Sequence, residues 1–321
     1  MSDKPAHDLH TSVLLAETID FVGAKRGGMF VDATLGLGGH TEAILLASEK
    51  ASVLGLDQDV SAIDLASKRL EAFGNRVQIV HSNFASLEQV LSETGIGKVD
   101  GIIADLGVSS LQLDSEERGF SFRFDAPLDM RMDQTSDEPT AAELLATLPE
   151  VEIADIIYRY GEERFSRRIA RWIVEKREAG TPVTTTNELV ALIERSVRRS
   201  PKDKIHPATR TFQALRIAVN RETEILEQFL LDAIENLKPD GRLVIISFHS
   251  LEDRIVKHVF QKMSGKCSCP PRLPLCMCGA VEKVEVLTRK PVPAGDEETA
   301  ANPRARSAKL RAVKRIETEV N

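Results

Sequence analysis

An apolar run that ends in an acid and opens into glycines, Phe30-Val31-Asp32-Ala33-Thr34-Leu35-Gly36-Leu37-Gly38-Gly39-His40, is the part of this chain best suited to hold a small ligand. Glycines let backbone N–H groups approach a ligand. The helical pattern that follows, Thr41 to Ala47, adds the positive end of its dipole at the same place. A second acid, Asp57, ends the next apolar run, Ser52-Val53-Leu54-Gly55-Leu56. An acid at the tip of a second strand is the usual partner of ribose hydroxyls in nucleotide-binding α/β folds. Together these residues point to an adenosine-containing cofactor.

The details separate two such cofactors. The dinucleotide fingerprint reads G-x-G-x-x-G, whereas this loop reads Gly36-x-Gly38-Gly39 and lacks the third glycine. Asp32 stands just ahead of the first glycine, where a carboxylate repels a pyrophosphate. S-adenosylmethionine (SAM) has no phosphate and carries an amino group and a sulfonium, which an acid attracts. The loop favours SAM, and a NAD-type oxidoreductase stands as the alternative.

Asp105-Leu106-Gly107-Val108-Ser109-Ser110 follows another apolar run, where SAM enzymes keep their catalytic loop. Methylating an exocyclic amine is difficult because the nitrogen lone pair is delocalised into the ring. An acceptor on the N–H makes the nitrogen more nucleophilic and later receives the proton. In-line positioning supplies most of the rest. Asp105 suits the acceptor role, and a helix or turn cap is its plainer role. Ser247-Phe248-His249-Ser250 ends a later run. There Phe248 is suited to stack on a base and His249 to hydrogen-bond it, against the plainer role of a structural histidine.

Positioning these residues requires a parallel sheet. Strands are predicted at 29–33, 52–57, 77–81 and 99–105, with helices near 41–49, 59–73 and 85–94. That alternation gives a sheet covered by helices on both faces, with ligands at the carboxyl ends of its strands. Asp32, Asp57, Asn83-Phe84 and Asp105 all fall at such ends. Helical patterns then run through 140–147, 151–159, 162–178 and 186–199, and a single helix is predicted from about 211 to 237. After the Pro239-Asp240-Gly241 turn the sheet resumes at 243–248, followed by a helix near 252–263 and a closing antiparallel pair at 281–287 and 307–316. The expectation is a core of residues 1–113 and 211–321, interrupted by a helical insertion at 114–210.

The chain has 321 residues, 42% hydrophobic and 28% charged, ordinary for a soluble globular protein. No run approaches the roughly 20 apolar residues of a membrane span, and the N-terminus lacks the apolar segment of a secretory signal. Cytoplasm is the default location, with no membrane partner. The net charge of −7 does not mark a nucleic-acid binder. Between Arg159 and Arg216, however, fourteen Lys/Arg face seven Asp/Glu. That local excess suggests a phosphate-facing surface, or a solvated helical face laced with ion pairs.

Several long motifs recur together: His10-Thr11-Ser12-Val13-Leu14-Leu15, Asp32 through His40, Asp105 through Asp114, Arg118-Gly119-Phe120-Ser121-Phe122, and Pro127 through Met132. Tyr160 through Phe165, His206 through Ala214, and Ser247 through Arg254 extend the set over nearly the whole chain. In these the chain resembles the RsmH (MraW) methyltransferases, which methylate N4 of a cytidine in the decoding region of 16S rRNA. The resemblance implies a Rossmann-like class I SAM-dependent methyltransferase core with an inserted all-helical domain that binds rRNA. It implies that Gly38, Gly39 and His40 contact the methionine part of SAM, Asp57 the ribose and Phe84 the adenine. Asp105 and Gln112 would complete the pocket, and Asp105 would also be catalytic. The small ribosomal subunit is the expected partner, rather than naked rRNA. A SAM- and rRNA-binding assembly factor without catalysis is the alternative of another class.

Amino-methyltransferases often place Asp/Asn-Pro-Pro-aromatic in the catalytic loop. Here Leu106-Gly107-Val108 follows the acid, so stacking on the base falls to Phe120, Phe122 or Phe248. Cys267-x-Cys269 and Cys276-x-Cys278 are candidates for one structural Zn²⁺, with free thiols the alternative. The basic run from Arg304 to Arg315 alternates with Ala308, Leu310 and Ala312, as in an edge strand with one buried face.

Overall fold

The computed structural model describes residues 12–197, 205–267, 269, 277 and 282–317. In chain order the elements are α1 (Leu15–Val22), β1 (Gly28–Asp32), α2 (Gly39–Ala47), β2 (Ala51–Asp57), α3 (Val60–Leu70), β3 (Val77–His81), α4 (Leu87–Glu93) and β4 (Val99–Asp105). Then come α5 (Ser110–Asp114), α6 (Ala141–Thr147), α7 (Glu150–Gly161), α8 (Ser166–Glu178), α9 (Thr186–Ser196) and α10 (Ala208–Asn220). The chain closes with α11 (Glu222–Glu235), β5 (Leu237–Ser247), α12 (Ser250–Met263), β6 (Val284–Val286), β7 (Val292–Pro293), α13 (Asp296–Ala301) and β8 (Lys309–Arg315). Two compact units result: Met1–Gly107 with Thr223–Asn321, and Val108–Glu222. Their boundaries lie at Gly107 and Glu222, not at 113 and 210, so α10 belongs wholly to the helical unit.

The first unit is built on one sheet in the order β3-β2-β1-β4-β5-β8-β6, with β7 also paired to β8. Strands β1 to β5 pair in parallel, and β8 runs antiparallel to β5 and β6. Strands β1, β2 and β4 and the second half of β5 are almost wholly apolar because successive side chains enter separate cores on the two faces. Val31, Leu54, Ile102 and Ile245 pack on one side with Leu87, Phe229 and Val256. Their neighbours Phe30, Val53, Ile103 and Val244 pack on the other with Val22, Ile44 and Ala66. This is the α/β, Rossmann-like arrangement expected.

Three expectations need correction. The helix predicted over 211–237 is two helices, broken at Arg221, whose φ of 52° is left-handed; helical periodicity runs on across the break and hides it. The turn at Pro239-Asp240-Gly241 lies within β5, which begins at Leu237. The register steps from Val99↔Leu237 to Gly101↔Arg242, so the turn residues bulge out of the ladder. The basic strand β8 is not an edge. It lies between β5 and β6, and Arg311 and Arg315 are buried. Its charges close on acids of the same unit: Arg311 on Asp253 at 2.7 Å, Lys314 on Glu285 at 2.9 Å, and Arg315 on Glu235 at 3.3 Å. Buried arginines tied to carboxylates leave that strand little charge to offer RNA.

The helical unit has its own core, formed by Ile153, Ile157, Ile169, Ile173, Leu189, Ile193, Phe212 and Leu215 among others. Capping boxes at Thr140–Glu143 and Thr185–Glu188 start α6 and α9. Where α7 meets α10, Gly161 removes the side chain: a Cβ there would lie 2.5 Å from the Arg210 carbonyl oxygen. Backbone cannot move aside cheaply. Gly161→Ala should therefore destabilise this unit by about 1–3 kcal/mol, read as a lower denaturant midpoint at unchanged slope.

Candidate cofactor and catalytic site

In the first unit the carboxyl ends of β1, β2 and β4 carry Asp32, Asp57 and Asp105 along one edge of the sheet. Because those strands are parallel and adjacent, their ends and the glycine turn before α2 share that edge. Gly36 (φ 52°) and Gly38 (φ 78°) adopt left-handed backbone, and α2 begins at Gly39. The closest approach in the loop is at Gly39, where a Cβ would fall 2.1 Å from Ser12 Oγ.

Asp57 is tied to this loop. Its Oδ2 accepts from the Gly36 N–H at 2.7 Å, and its Oδ1 accepts from Asp59 N–H at 2.9 Å. Asp59 in turn caps α3 through Ser61 N–H. Asp32 is buried and binds both ends of the turn, accepting from Thr41 Oγ1 at 2.7 Å and from Thr34 N–H at 3.3 Å. Thr34 Oγ1 accepts from the backbone N–H of Asp105 at 2.6 Å, so the glycine loop is hydrogen-bonded to the end of β4. Arg69 braces the loop from α3, pairing with Glu42 at 2.6 Å and reaching Leu37 O at 3.5 Å. Sequence reasoning missed Thr34, Thr41 and Arg69. The two threonines lie within or beside the glycine motif and were available as signals; Arg69 is distant in sequence and was not.

The other predicted residues are placed as follows. His40, in the first turn of α2, is buried with Nε2 3.0 Å from Val13 O, a contact that holds the segment ahead of α1. Phe84 is half-buried, its ring 4.8 Å from that of Phe229. Asn83 caps the turn at Ala85 and donates to Gln58 Oε1 at 2.8 Å. Gln112 belongs to the helical unit, where it forms a capping box with Ser109 at the start of α5. His249 is also a cap: its Nδ1 accepts from Glu252 N–H at 3.4 Å, and Glu252 Oε2 accepts from Phe248 N–H at 2.9 Å. The plainer role of His249 is thus occupied. In the helical unit Phe120 is buried, and the Phe122 ring lies 4.8 Å from that of His206 and meets Phe212 edge-on at 5.1 Å. His10 and Thr11, four of the basic residues (Arg198, Arg199, Lys202, Lys204) and the cysteines Cys276 and Cys278 lie outside the described residues.

The electrostatics of the strand ends is one-sided. Burial pushes the Asp105 carboxyl well above the usual carboxylate range, and the neighbouring Asp32 and Glu252 add to it. Its Oδ1 is buried with no hydrogen-bond partner among the described residues. Burial also raises Asp57, opposed by the N–H bonds from Asp59 and Gly36. Asp32 is raised to about 6 by burial, partly offset by Thr41 and Thr34. Buried acids without a cation favour a positively charged ligand, so the donor set fits SAM, with its sulfonium and amino group, and not a pyrophosphate.

The Asp32 shift has a consequence for stability. The folded carboxyl keeps its proton to about pH 6 and the unfolded one releases it near 3.8, so the folded state binds more protons in between. Stability gained below that window is lost as pH rises through it, by about 3 kcal/mol at 1.36 kcal/mol per unit. In Asp32→Asn, stability measured by denaturation from pH 4 to pH 7 should fall less steeply by about that amount.

The match to known proteins is extensive. The family model described as the MraW methylase family matches residues 7–316. A ribosomal RNA small subunit methyltransferase H of Geobacter sp. (strain M21) is 52% identical over 309 residues, covering 96% of this chain and 98% of that protein. One of the same name from Clostridium botulinum (strain Kyoto / Type A2) is 49% identical over 308 residues, covering 96% and 99%. Among solved structures, an rRNA methylase from Streptococcus thermophilus aligns at TM-score 0.41 and 10% identity over 99% of each chain, a likeness too slight to weigh. The glycine turn, the strand-end acids and a match spanning nearly the whole sequence agree: the chain belongs to the MraW methylase family.

Proposed function

We propose that this protein transfers the methyl group of SAM to the N4 amine of a cytidine in the decoding region of 16S rRNA, with the small ribosomal subunit as substrate. The relatives at about half identity are named as small-subunit rRNA methyltransferases, and the strand-end acids suit a cationic cofactor. The single observation that carries the catalytic part is the Asp105 carboxyl, buried at the end of β4 with Oδ1 unpartnered. A buried acceptor with nothing to accept from is poised for an N–H donor.

When bound, SAM supplies an electrophilic methyl group. Asp105, as carboxylate, would accept a hydrogen bond from the N4 amine, concentrating electron density on the nitrogen that takes the methyl group while sulfur keeps the electron pair of the broken sulfur–methyl bond. The proton released by the amine then passes to Asp105, whose raised affinity for protons suits it to that role. Asp57 holds the ribose hydroxyls while keeping the Gly36 turn in place. Gly38, Gly39 and His40 bound the methionine end, and Phe84 offers a half-exposed ring to the adenine. Gln112 joins this set through the motif it shares with the family. Within the helical insertion, residues 114–210, the local basic excess that begins at Arg159 supplies the positive charge for the rRNA backbone.

The test is transfer of labelled methyl from SAM to small subunits from cells lacking this protein, with the label mapped by nuclease digestion. Label at cytidine N4 of 16S rRNA supports the assignment. SAM binding without transfer to particles or free rRNA would replace it with a SAM- and rRNA-binding assembly factor.

A further inference from the structure

Within the helical unit the positive charge is not spread evenly. Arg216 is consumed by Glu222 at 2.8 Å, and Arg177 donates to the carbonyls of Leu145 and Leu148 at 3.1 and 2.8 Å. Arg171 faces Glu150, Arg210 faces Glu163, and Arg195 lies over the Trp172 ring. Among the described residues, what remains is concentrated where α7 turns into α8. There Arg164 and Arg168 sit 4.7 and 5.3 Å from the centroid of the same Phe165 ring. Arg164 and Arg167 are exposed and have no ion-pair partner among the described residues. Farther along the exposed side of α8 the charge changes sign at Glu175 and Glu178, so the basic patch belongs to the elbow and not to the whole helix.

The elbow also carries an exposed aromatic ring. Tyr158, in the last turn of α7, is 61% exposed, the largest exposure of any aromatic side chain among the described residues. An aromatic ring left in water on the same elbow, six residues before the exposed Arg164, brings together the two groups that bind single-stranded nucleic acid: bases stack on a ring while cations hold the phosphates. Two guanidiniums held on one ring repel each other, and a polyanion relieves that repulsion. Glu162 is the exposed acid of the turn, Arg159 is shared with Asp155 at 3.5 Å, and Arg168 donates to the Ser196 carbonyl, so the decisive charges are Arg164 and Arg167.

We propose that the α7–α8 elbow is where the helical unit grips an unpaired segment of RNA, with Tyr158 stacking on a base and Arg164 and Arg167 contacting phosphates. This rests on the proposal that the protein acts on rRNA, and it names the element that makes the contact.

The experiment uses the full chain and a fluorescein-labelled single-stranded RNA oligonucleotide, with affinity measured across a salt series. Arg164→Gln with Arg167→Gln should lower the slope of log K against log salt by about 1.4, since each phosphate contact on a single strand contributes about 0.7. Lysine at both positions should keep the slope. Tyr158→Ala should weaken binding by about 5- to 150-fold at every salt concentration, and Tyr158→Phe should not. Wild-type denaturant midpoints and far-UV circular dichroism in all four variants establish that they fold. Wild-type slope and affinity in the glutamine and alanine variants would overturn the elbow as the RNA contact. If wild type itself binds no oligonucleotide, the elbow proposal falls, and methyl transfer to intact subunits decides separately whether the rRNA assignment stands.

Discussion

Asp105→Ala should lower kcat for methyl transfer to small subunits by about two to four orders of magnitude, the usual range for removing a positioned proton acceptor. Asp105→Asn keeps an oxygen acceptor but cannot take the proton, and should lie between alanine and wild type. Both follow from a carboxyl whose Oδ1 is buried without a partner while its main chain is fixed by Thr34. The pH dependence carries the same signature. The carboxylate is the accepting form, and burial with Asp32 and Glu252 nearby places its titration well above the ordinary carboxylate range. In wild type kcat/KM should fall as pH is lowered through that raised value, and Asp105→Asn should lack this limb. Because Asp105 is also proposed to complete the SAM pocket, SAM dissociation constants are to be measured alongside. A loss of turnover matched by an equal loss of SAM affinity would contradict the catalytic role.

Asp57→Ala should raise the dissociation constant for SAM by about 10- to 150-fold, the worth of one charge-assisted hydrogen bond at about 1.5–3 kcal/mol. The carboxylate anchors the Gly36 and Asp59 N–H groups at 2.7 and 2.9 Å, and in the proposed assignment it also accepts from the ribose hydroxyls. At saturating SAM kcat should recover to near wild type, which separates this residue from Asp105. Asp57→Asn, which retains one acceptor oxygen, should lose less. Calorimetric titration with SAM, alongside KM for SAM, reads the difference. A variant that binds SAM normally would remove Asp57 from the ribose site and leave it only the loop.

Phe30 to Asp32, Ser52 to Asp57 and Val99 to Asp105 are apolar runs ending in acids, and that pattern alone determined a parallel, doubly covered sheet with its ligand edge at the carboxyl ends. The glycine turn was equally legible, because left-handed backbone at Gly36 and Gly38 demands that residue type locally. What tertiary structure alone decided depends on contacts distant in sequence. The basic run at the C-terminus alternates like an edge strand, yet it lies between β5 and β6, and its arginines end on Asp253 and Glu235. No local pattern reveals a partner that far along the chain. The same holds for Arg69 bracing Leu37, and for the charges near α8, where only the fold distinguishes arginines consumed by carbonyls and carboxylates from those left at the elbow. His249 shows the reverse case. Its type suggested chemistry, but its place three residues before Glu252 made it a helix cap. Periodicity reports which face a residue occupies. The partner it meets there is set by packing between segments, and that packing decided which of these acids and bases remained unpaired.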